Sequence, residues 1–147
     1  MSEPKVLRVD HVAAAVRDLE RTLAVFREVF GVEGLRRFEN DRDGFRGAVF
    51  SLGSGSRFEL ISPTRPDSFL TRFLSERGEG LHHVTLEVTS LDAFVARLEQ
   101  AGFRVLRGRE TDSYREAFIH PVGFFGILIQ LTERVPAGSE TRRVEGP

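Results

Sequence analysis

The chain has 147 residues, 40% of them hydrophobic, with 21 basic and 22 acidic side chains and a formal charge of −1. That is too much apolar material for a disordered chain and suits one compact domain or two small fused modules. The near-neutral charge gives no footing for nucleic acid or an anionic membrane surface, and the lack of cysteine excludes disulfides, thiolate metal sites and a cysteine nucleophile.

Met1 to Lys5 is short and polar and does not read as a signal peptide. No apolar run approaches the roughly 18 residues of a membrane span, so a cytoplasmic location is expected. A valine-rich strand of alternating polarity is predicted over 6–16. Asp18 then offers an N-cap, and Leu19, Leu23, Phe26 and Phe30 recur at helical spacing up to Gly31, which suits a left-handed C-terminal residue. Three shorter strands follow near 33–39, 46–52 and 57–62, and a short helix opened by Pro66 is expected over 66–77. A second valine-rich strand covers 82–89. Ser90 caps a helix carrying Leu91, Phe94, Val95 and Leu98 and closed by Gly102, and three strands near 103–107, 115–119 and 126–132 complete the order. The tail from Pro136 is polar, contains Gly and Pro, and is expected to fray.

The second half repeats the first. His11, Val16 and Leu19 match His83, Val88 and Leu91 at an offset of 72, and Gly31 and Glu59 match Gly102 and Gln130 at an offset of 71. So steady an offset argues for duplication. The expected fold class is α+β, one domain built from two tandem βαβββ modules over about 6–63 and 80–133, with a linker helix within 64–79 and a flexible tail from 134.

Alternation places Val12, Ala14 and Val16 on one face of the first strand and His11, Ala13 and Ala15 on the other. The matching strand likewise separates Val84, Leu86 and Val88 from His83, Thr85 and Glu87. Both matched histidines are thus expected on a face free of helices, with small neighbours, and His82 on the opposite face. In the last strands Glu59 opposes Phe58 and Leu60, and Gln130 opposes Ile127, Ile129 and Leu131. Such polar groups within apolar strands need partners. If the modules pair pseudo-symmetrically, His11, Glu59, His83 and Gln130 converge, and two imidazoles, a carboxylate and an amide oxygen suit an octahedral divalent ion with two open water positions. Zn, Mn, Co, Ni and Fe(II) all suit this set.

Several segments extend the pattern: Asp10-His11-Val12 followed by Val16-x-Asp18-Leu19; Phe58-Glu59-Leu60-Ile61-Ser62-Pro63 with Pro66-Asp67-Ser68 and Phe73-Leu74; Gly78-Glu79-Gly80-Leu81-His82-His83-Val84; and Phe118-Ile119-His120-Pro121 ahead of Gly126-Ile127-Leu128-Ile129-Gln130-Leu131. From about Val6 to Glu133 the chain resembles the vicinal oxygen chelate superfamily, which includes glyoxalase I, methylmalonyl-CoA epimerase, extradiol dioxygenases and bleomycin-resistance proteins. Within it, the chain is most similar to the epimerase branch. The resemblance implies a glyoxalase-like curved mixed sheet around a cleft, with His11, Glu59, His83 and Gln130 as metal ligands. His120, ahead of a turn, is expected to order that turn. Two departures stand out. The last ligand position, a glutamate in the epimerases, is Gln130 here and cannot act as a base, and the branch's free acid falls at Gly47. Glu116 on the equivalent strand of the second half is the candidate for an acid exchanged across the pseudo-twofold.

The resemblance further implies an epimerase or isomerase that stabilises an enolate, with Glu59 and Glu116 as candidate catalytic carboxylates and one divalent ion as cofactor. The expected substrate is an acyl-CoA or a thiol hemithioacetal. Asp41 and Asp43, on a polar loop, read better as turn residues. Arg46, Arg57 and Arg65 are candidates for the cleft mouth of a coenzyme A substrate. Three other readings compete: a glyoxalase I-type lactoylglutathione lyase, a non-heme iron dioxygenase using His11, His83 and Glu59, and a metal-free drug-resistance-type binding protein, against which the paired histidines count. Sheet edges and apolar helix faces suggest a homodimer.

Overall fold

The computed structural model of the chain describes residues 3–136, so Met1, Ser2 and the tail from 137 onward lie outside the described residues. Its elements are β1 (Val6–Ala15), α1 (Leu19–Phe30), β2 (Glu33–Asn40), β3 (Phe45–Leu52), β4 (Ser56–Pro63), α2 (Phe69–Arg77), β5 (Gly80–Val88), α3 (Leu91–Gln100), β6 (Val105–Glu110), β7 (Tyr114–Ile119) and β8 (Ile129–Arg134). The caps form as the sequence predicts. Asp18 accepts from the backbone N–H of Arg21, Ser90 accepts from that of Ala93, and Gly31 closes α1 at φ 62°. No helix among the described residues is long and apolar enough to cross a membrane.

The strands form one mixed sheet in the order β2-β3-β4-β1-β5-β8-β7-β6. β1 runs parallel to β4 and β5 parallel to β8, while β1 and β5 are antiparallel neighbours at the centre. The two halves therefore meet back to back along β1 and β5. Helix α1 lays Leu19 and Leu23 on Ala14, Val16, Ala48, Phe50 and Leu60, and α3 lays Leu91 and Val95 on Val88, Ala117 and Leu131. Fully burying one such aliphatic side chain contributes about 1.5–3 kcal/mol.

The structure departs from the sequence reading in several places, three of them in how the elements are laid down. The face carrying Ala13 and Ala15 is not free of helices, because Leu70 and Leu74 of α2 pack there with Ile61, joined by Phe38, Phe45 and Phe73. The connecting segment carries enough apolar side chains to form a two-sided core. Helix α2 begins at Phe69 and is capped by Ser68, leaving Pro66 in the preceding turn. Strand β8 begins only at Ile129, because Pro121 accepts from the backbone N–H groups of Phe124 and Gly126 and winds 121–126 into turns. The polar tail expected to fray falls outside the described residues beyond Pro136.

Candidate metal centre and active site

Backbone pairing alone brings the four candidate ligands together. Ala13 of β1 pairs with Glu59 on β4 and with His83 on β5, giving the row Glu59–Ala13–His83. Thr85 of β5 pairs with His11 on β1 and with Gln130 on β8, giving the row His11–Thr85–Gln130. Cross-strand neighbours share a face, so each row aims its polar ends to one side. The rows are copies of one another, with Ala13 standing where Thr85 stands in the repeat. Ligand atoms of His11, Glu59 and His83 lie within 4.8 Å of one another. His11 Nε2 is 3.2 Å from Glu59 Oε2. Gln130 joins through a hydroxyl: Thr85 Oγ1 donates to Gln130 Oε1 (2.7 Å) and lies 3.0 Å from His11 Nε2.

A second group of side chains holds these residues in place. Asp10, which alternation assigns to the other face, is buried against the site. A register shift between Val9 and His11 turns it there, so that Asp10 Oδ2 lies 2.8 Å from His11 Nδ1 and its carboxylate accepts from Arg57. A carboxylate on Nδ1 leaves Nε2 to face the cluster, the arrangement a ligating imidazole needs. Sequence reasoning missed Asp10; the Asp10-His11 dipeptide was its one available signal. Burial pushes the Asp10 carboxyl up, but hydrogen bonds from His11 and Arg57 outweigh it and hold the group far below the usual carboxylate range. His83 Nδ1 lies 2.8 Å from His82 Nδ1. Contrary to the alternation argument, His82 shares the site face, because a bulge pairs Ala13 with His83 but Ala14 with Leu81. Its ring packs on Phe69 and Phe73.

The electrostatics fit a divalent cation. Burial raises the Glu59 carboxyl above its ordinary value, and its only ion-pair partner among the described residues is His11. A buried carboxylate so poorly compensated favours a bound positive charge. Burial, followed by the proximity of His82 and His11, lowers His83 to about 3, so it stands neutral with a lone pair available. The donor set is therefore two imidazoles and a carboxylate, with an amide oxygen one hydroxyl away.

Glu116 lies beside this cluster rather than on open surface. Its Oε2 accepts from Gln130 Nε2 (2.8 Å) and from the Tyr114 hydroxyl (2.8 Å), and its Oε1 accepts from the backbone N–H of Arg109 (2.9 Å). The Gln130 amide is thereby fixed, with its oxygen toward Thr85 and its nitrogen toward Glu116.

With the site assembled, comparison with known proteins gives a consistent result. Residues 10–118 match the model of the Glyoxalase/Bleomycin resistance protein/Dioxygenase superfamily. The chain belongs to this superfamily. Among relatives, it is 32% identical over 131 residues to the ethylmalonyl-CoA/methylmalonyl-CoA epimerase of Cereibacter sphaeroides, covering 86% of this chain and 97% of that one. The crystal structure of methylmalonyl-CoA epimerase from Mycobacterium tuberculosis superposes with a TM-score of 0.79 at 33% identity, covering 89% of this chain and 90% of that one. A variant of the Streptomyces coelicolor methylmalonyl-CoA epimerase in complex with 2-nitronate-propionyl-CoA superposes with a TM-score of 0.78 at 31% identity, covering 90% and 100%.

Most of the remaining candidates of this superfamily member are engaged elsewhere. Arg57 is committed to Asp10, and Arg65 ties the backbone oxygens of Asp41 and Arg42 to Asp67. Arg46 is exposed, and its charge acts on Glu20 of α1. Arg57 and Arg65 are thus held by protein groups, whereas Arg46 makes no side-chain hydrogen bond or ion pair among the described residues. Asp43 closes the turn its sequence suggests, its N–H donating to Asn40 Oδ1, and His120 Nδ1 accepts from the N–H of Val122 to order the turn before β8.

Proposed function

We propose that this chain is a metal-dependent isomerase that moves the proton alpha to a carbonyl, epimerising an acyl-CoA substrate of the methylmalonyl-CoA type. The observation that carries the reading is the His11, Glu59 and His83 cluster, with ligand atoms within 4.8 Å of one another and Gln130 on the adjoining row. The named relatives and the coenzyme A ligand of the Streptomyces enzyme support the substrate class.

His11, His83, Glu59 and the Gln130 oxygen would hold the ion. When bound, it supplies Lewis acidity to negative charge developing on the substrate's carbonyl oxygen. Asp10 and His82 keep the two imidazoles oriented. Thr85, fully buried, fixes the Gln130 oxygen toward the same point. Glu59 and Glu116 are the carboxylates within reach of a chelated substrate, and a positioned general base contributes about 10²–10⁴-fold. The identity of the metal, whether Co, Ni, Mn, Zn or Fe, is left open by a mixed nitrogen and oxygen donor set. The exposed Val6, Leu7 and Val9 on β1 favour a homodimer, which sedimentation would reveal as twice the chain mass.

The test is interconversion of (2R)- and (2S)-methylmalonyl-CoA by the purified protein, with and without added divalent ion. Metal-dependent interconversion that is lost in His11→Ala/His83→Ala supports the reading. No interconversion, with turnover of a thiol hemithioacetal instead, transfers the site to the lyase class.

A further inference from the structure

The site face of the sheet changes character from one end to the other. Beyond Ala13 it is closed, because Leu70 and Leu74 of α2 pack there with Ile61, Phe38, Phe45 and Phe73. A Cβ on Gly47 would lie 2.5 Å from Phe38 Cζ, so the Phe38 ring fills the place a side chain would take. An extended ligand seated at the His11, Glu59 and His83 cluster must therefore leave in the other direction.

The opposite end is a rank of arginines, set on the site face by strand pairing. Arg57 lies two residues before Glu59 on β4, and Arg36 of β2 pairs with Val49, which pairs with Glu59. Arg8 of β1 pairs with Glu87, two residues past Thr85 on β5. Arg134 lies four residues past Gln130 on β8 and pairs with Tyr114, and the Arg109 guanidinium of β6 stands 4.8 Å from the centre of the Tyr114 ring. Residues two or four apart on a strand share a face, so five strands each send an arginine to this end. Arg46, by contrast, pairs with Ser62, next to Ile61, and is turned to the other face.

These guanidiniums have more donors than the protein uses. Asp10 takes Arg57 Nη2 at 2.5 Å, Arg8 Nη2 at 3.0 Å and Arg134 Nη2 at 3.6 Å, and Glu87 takes Arg8 Nε at 2.7 Å. Among the described residues Arg36 and Arg109 make no side-chain hydrogen bond or ion pair; the first acts on Glu59 through its charge and the second lies on the Tyr114 ring. Each guanidinium carries five N–H donors, and the side chains of Arg8 and Arg134 stay 45% and 52% exposed. Forked, partly exposed donors in surplus are what phosphate oxygens bind.

We infer that this rank of arginines seats the phosphate groups of a coenzyme A thioester, with Arg36, Arg109 and Arg134 as the residues that read the nucleotide end. This rests on the proposed acyl-CoA substrate. The four strand residues from Gln130 to Arg134 span about 13 Å, so the phosphates sit clear of the ion and the thioester is held at the other end of its arm. Asp10 joins the two ends, since it accepts from Arg57 and lies 2.8 Å from His11 Nδ1.

The experiment titrates S-methyl-coenzyme A and S-methylglutathione, whose sulfurs are capped, into the protein as purified, with metal content and thermal unfolding recorded. Wild type is compared with Arg36→Gln, Arg109→Gln, Arg134→Gln and Arg134→Lys, and with Arg97→Gln, whose side chain pairs with Glu3 from α3. Wild type is expected to bind the coenzyme A compound and not the glutathione one, more weakly as salt rises. Each glutamine variant of the rank is expected to raise Kd about 5- to 50-fold, Arg134→Lys by less, and Arg97→Gln not at all. In turnover, the preference in kcat/KM for methylmalonyl-CoA over its N-acetylcysteamine thioester should narrow by the same factor, through KM. Variants of the rank that all bind within about twofold of wild type, a wild type that binds no coenzyme A compound, or one that binds the glutathione compound in its place, overturn the assignment. Coenzyme A binding that depends on these arginines without any epimerisation defeats the proposed reaction and leaves this site standing; epimerisation indifferent to all three arginines does the reverse.

Discussion

Alanine at Gly108 is the smallest change that displaces Glu116 without altering it. Gly108 is not among the positive-φ residues, so alanine brings no left-handed strain and acts through its methyl group alone. That carbon would lie 2.5 Å from Glu116 Cγ and 2.9 Å from Cδ, whereas carbon atoms settle at about 3.5–4.0 Å. Glu116 must therefore retreat by about 1 Å. Its bonds to Arg109 N, Tyr114 Oη and Gln130 Nε2 span 2.8 to 2.9 Å, and a retreat of that size takes them beyond useful length. Since the freed carboxylate can reach water, the net loss is about 1–3 kcal/mol. That lowers Tm by about 2–4 °C per kcal/mol in a chain of this size. A misplacement of 1 Å in a reacting group costs about 10²-fold in rate. Metal binding should persist, because the cluster atoms of His11, Glu59 and His83 come from β1, β4 and β5, and only the Gln130 amide loses a bond. Differential scanning calorimetry, metal analysis and α-proton exchange read these three quantities separately. A Gly108→Ala protein with wild-type Tm and wild-type exchange would refute both the close contact and the role assigned to Glu116.

Three further outcomes are expected. Glu59→Gln removes a carboxylate whose charge burial disfavours, so it should raise the stability of the metal-free protein at neutral pH by about 0.5–2 kcal/mol while weakening its metal binding; a lower metal-free Tm would contradict this. In the metal-free protein His82 and His83 titrate near 4 and 3 when folded, depressed chiefly by burial, against 6.5 when unfolded. The unfolded chain binds protons first, so stability is fully present above about pH 6.5 and falls toward pH 4, by up to about 1.4 kcal/mol per proton per pH unit. Thermal scans across that range should show the slope, and His82→Gln should reduce it. Asp10→Asn keeps the shape beside His11 Nδ1 but loses the charge. Metal affinity, measured by calorimetry, should drop about 10–100-fold, and unchanged affinity would remove Asp10 from the site's support.

Much of this arrangement was legible in the sequence, because it follows from the repeat and from strand alternation. The matched histidines and the Glu59 and Gln130 pair land on two symmetric rows across β4, β1, β5 and β8. The caps at Asp18 and Ser90 were equally plain, since they depend on local hydrogen bonding. What could not be read depends on irregularity or on distant packing. The bulge opposite Ala14 brings His82 onto the site face, and the register shift at Val9 does the same for Asp10. Both break the two-residue period on which alternation rests. Thr85 was recognised only as a small neighbour, whereas its hydroxyl joins His11 to Gln130. The pairing of Gly47 with Phe38 and of Gly108 with Glu116 requires knowing which strands are adjacent, and no local pattern encodes that.

The central claim is that four side chains from the two halves hold one divalent ion. Titrating Co, Ni, Mn and Zn into metal-free protein by calorimetry, beside His11→Ala and His83→Ala, tests it most directly. The expected result is close to one ion bound per chain for at least one metal, with loss of binding in either variant. A wild-type protein that binds none of them, or variants that bind as well as wild type, would contradict the metal centre and leave a ligand-binding cleft in its place.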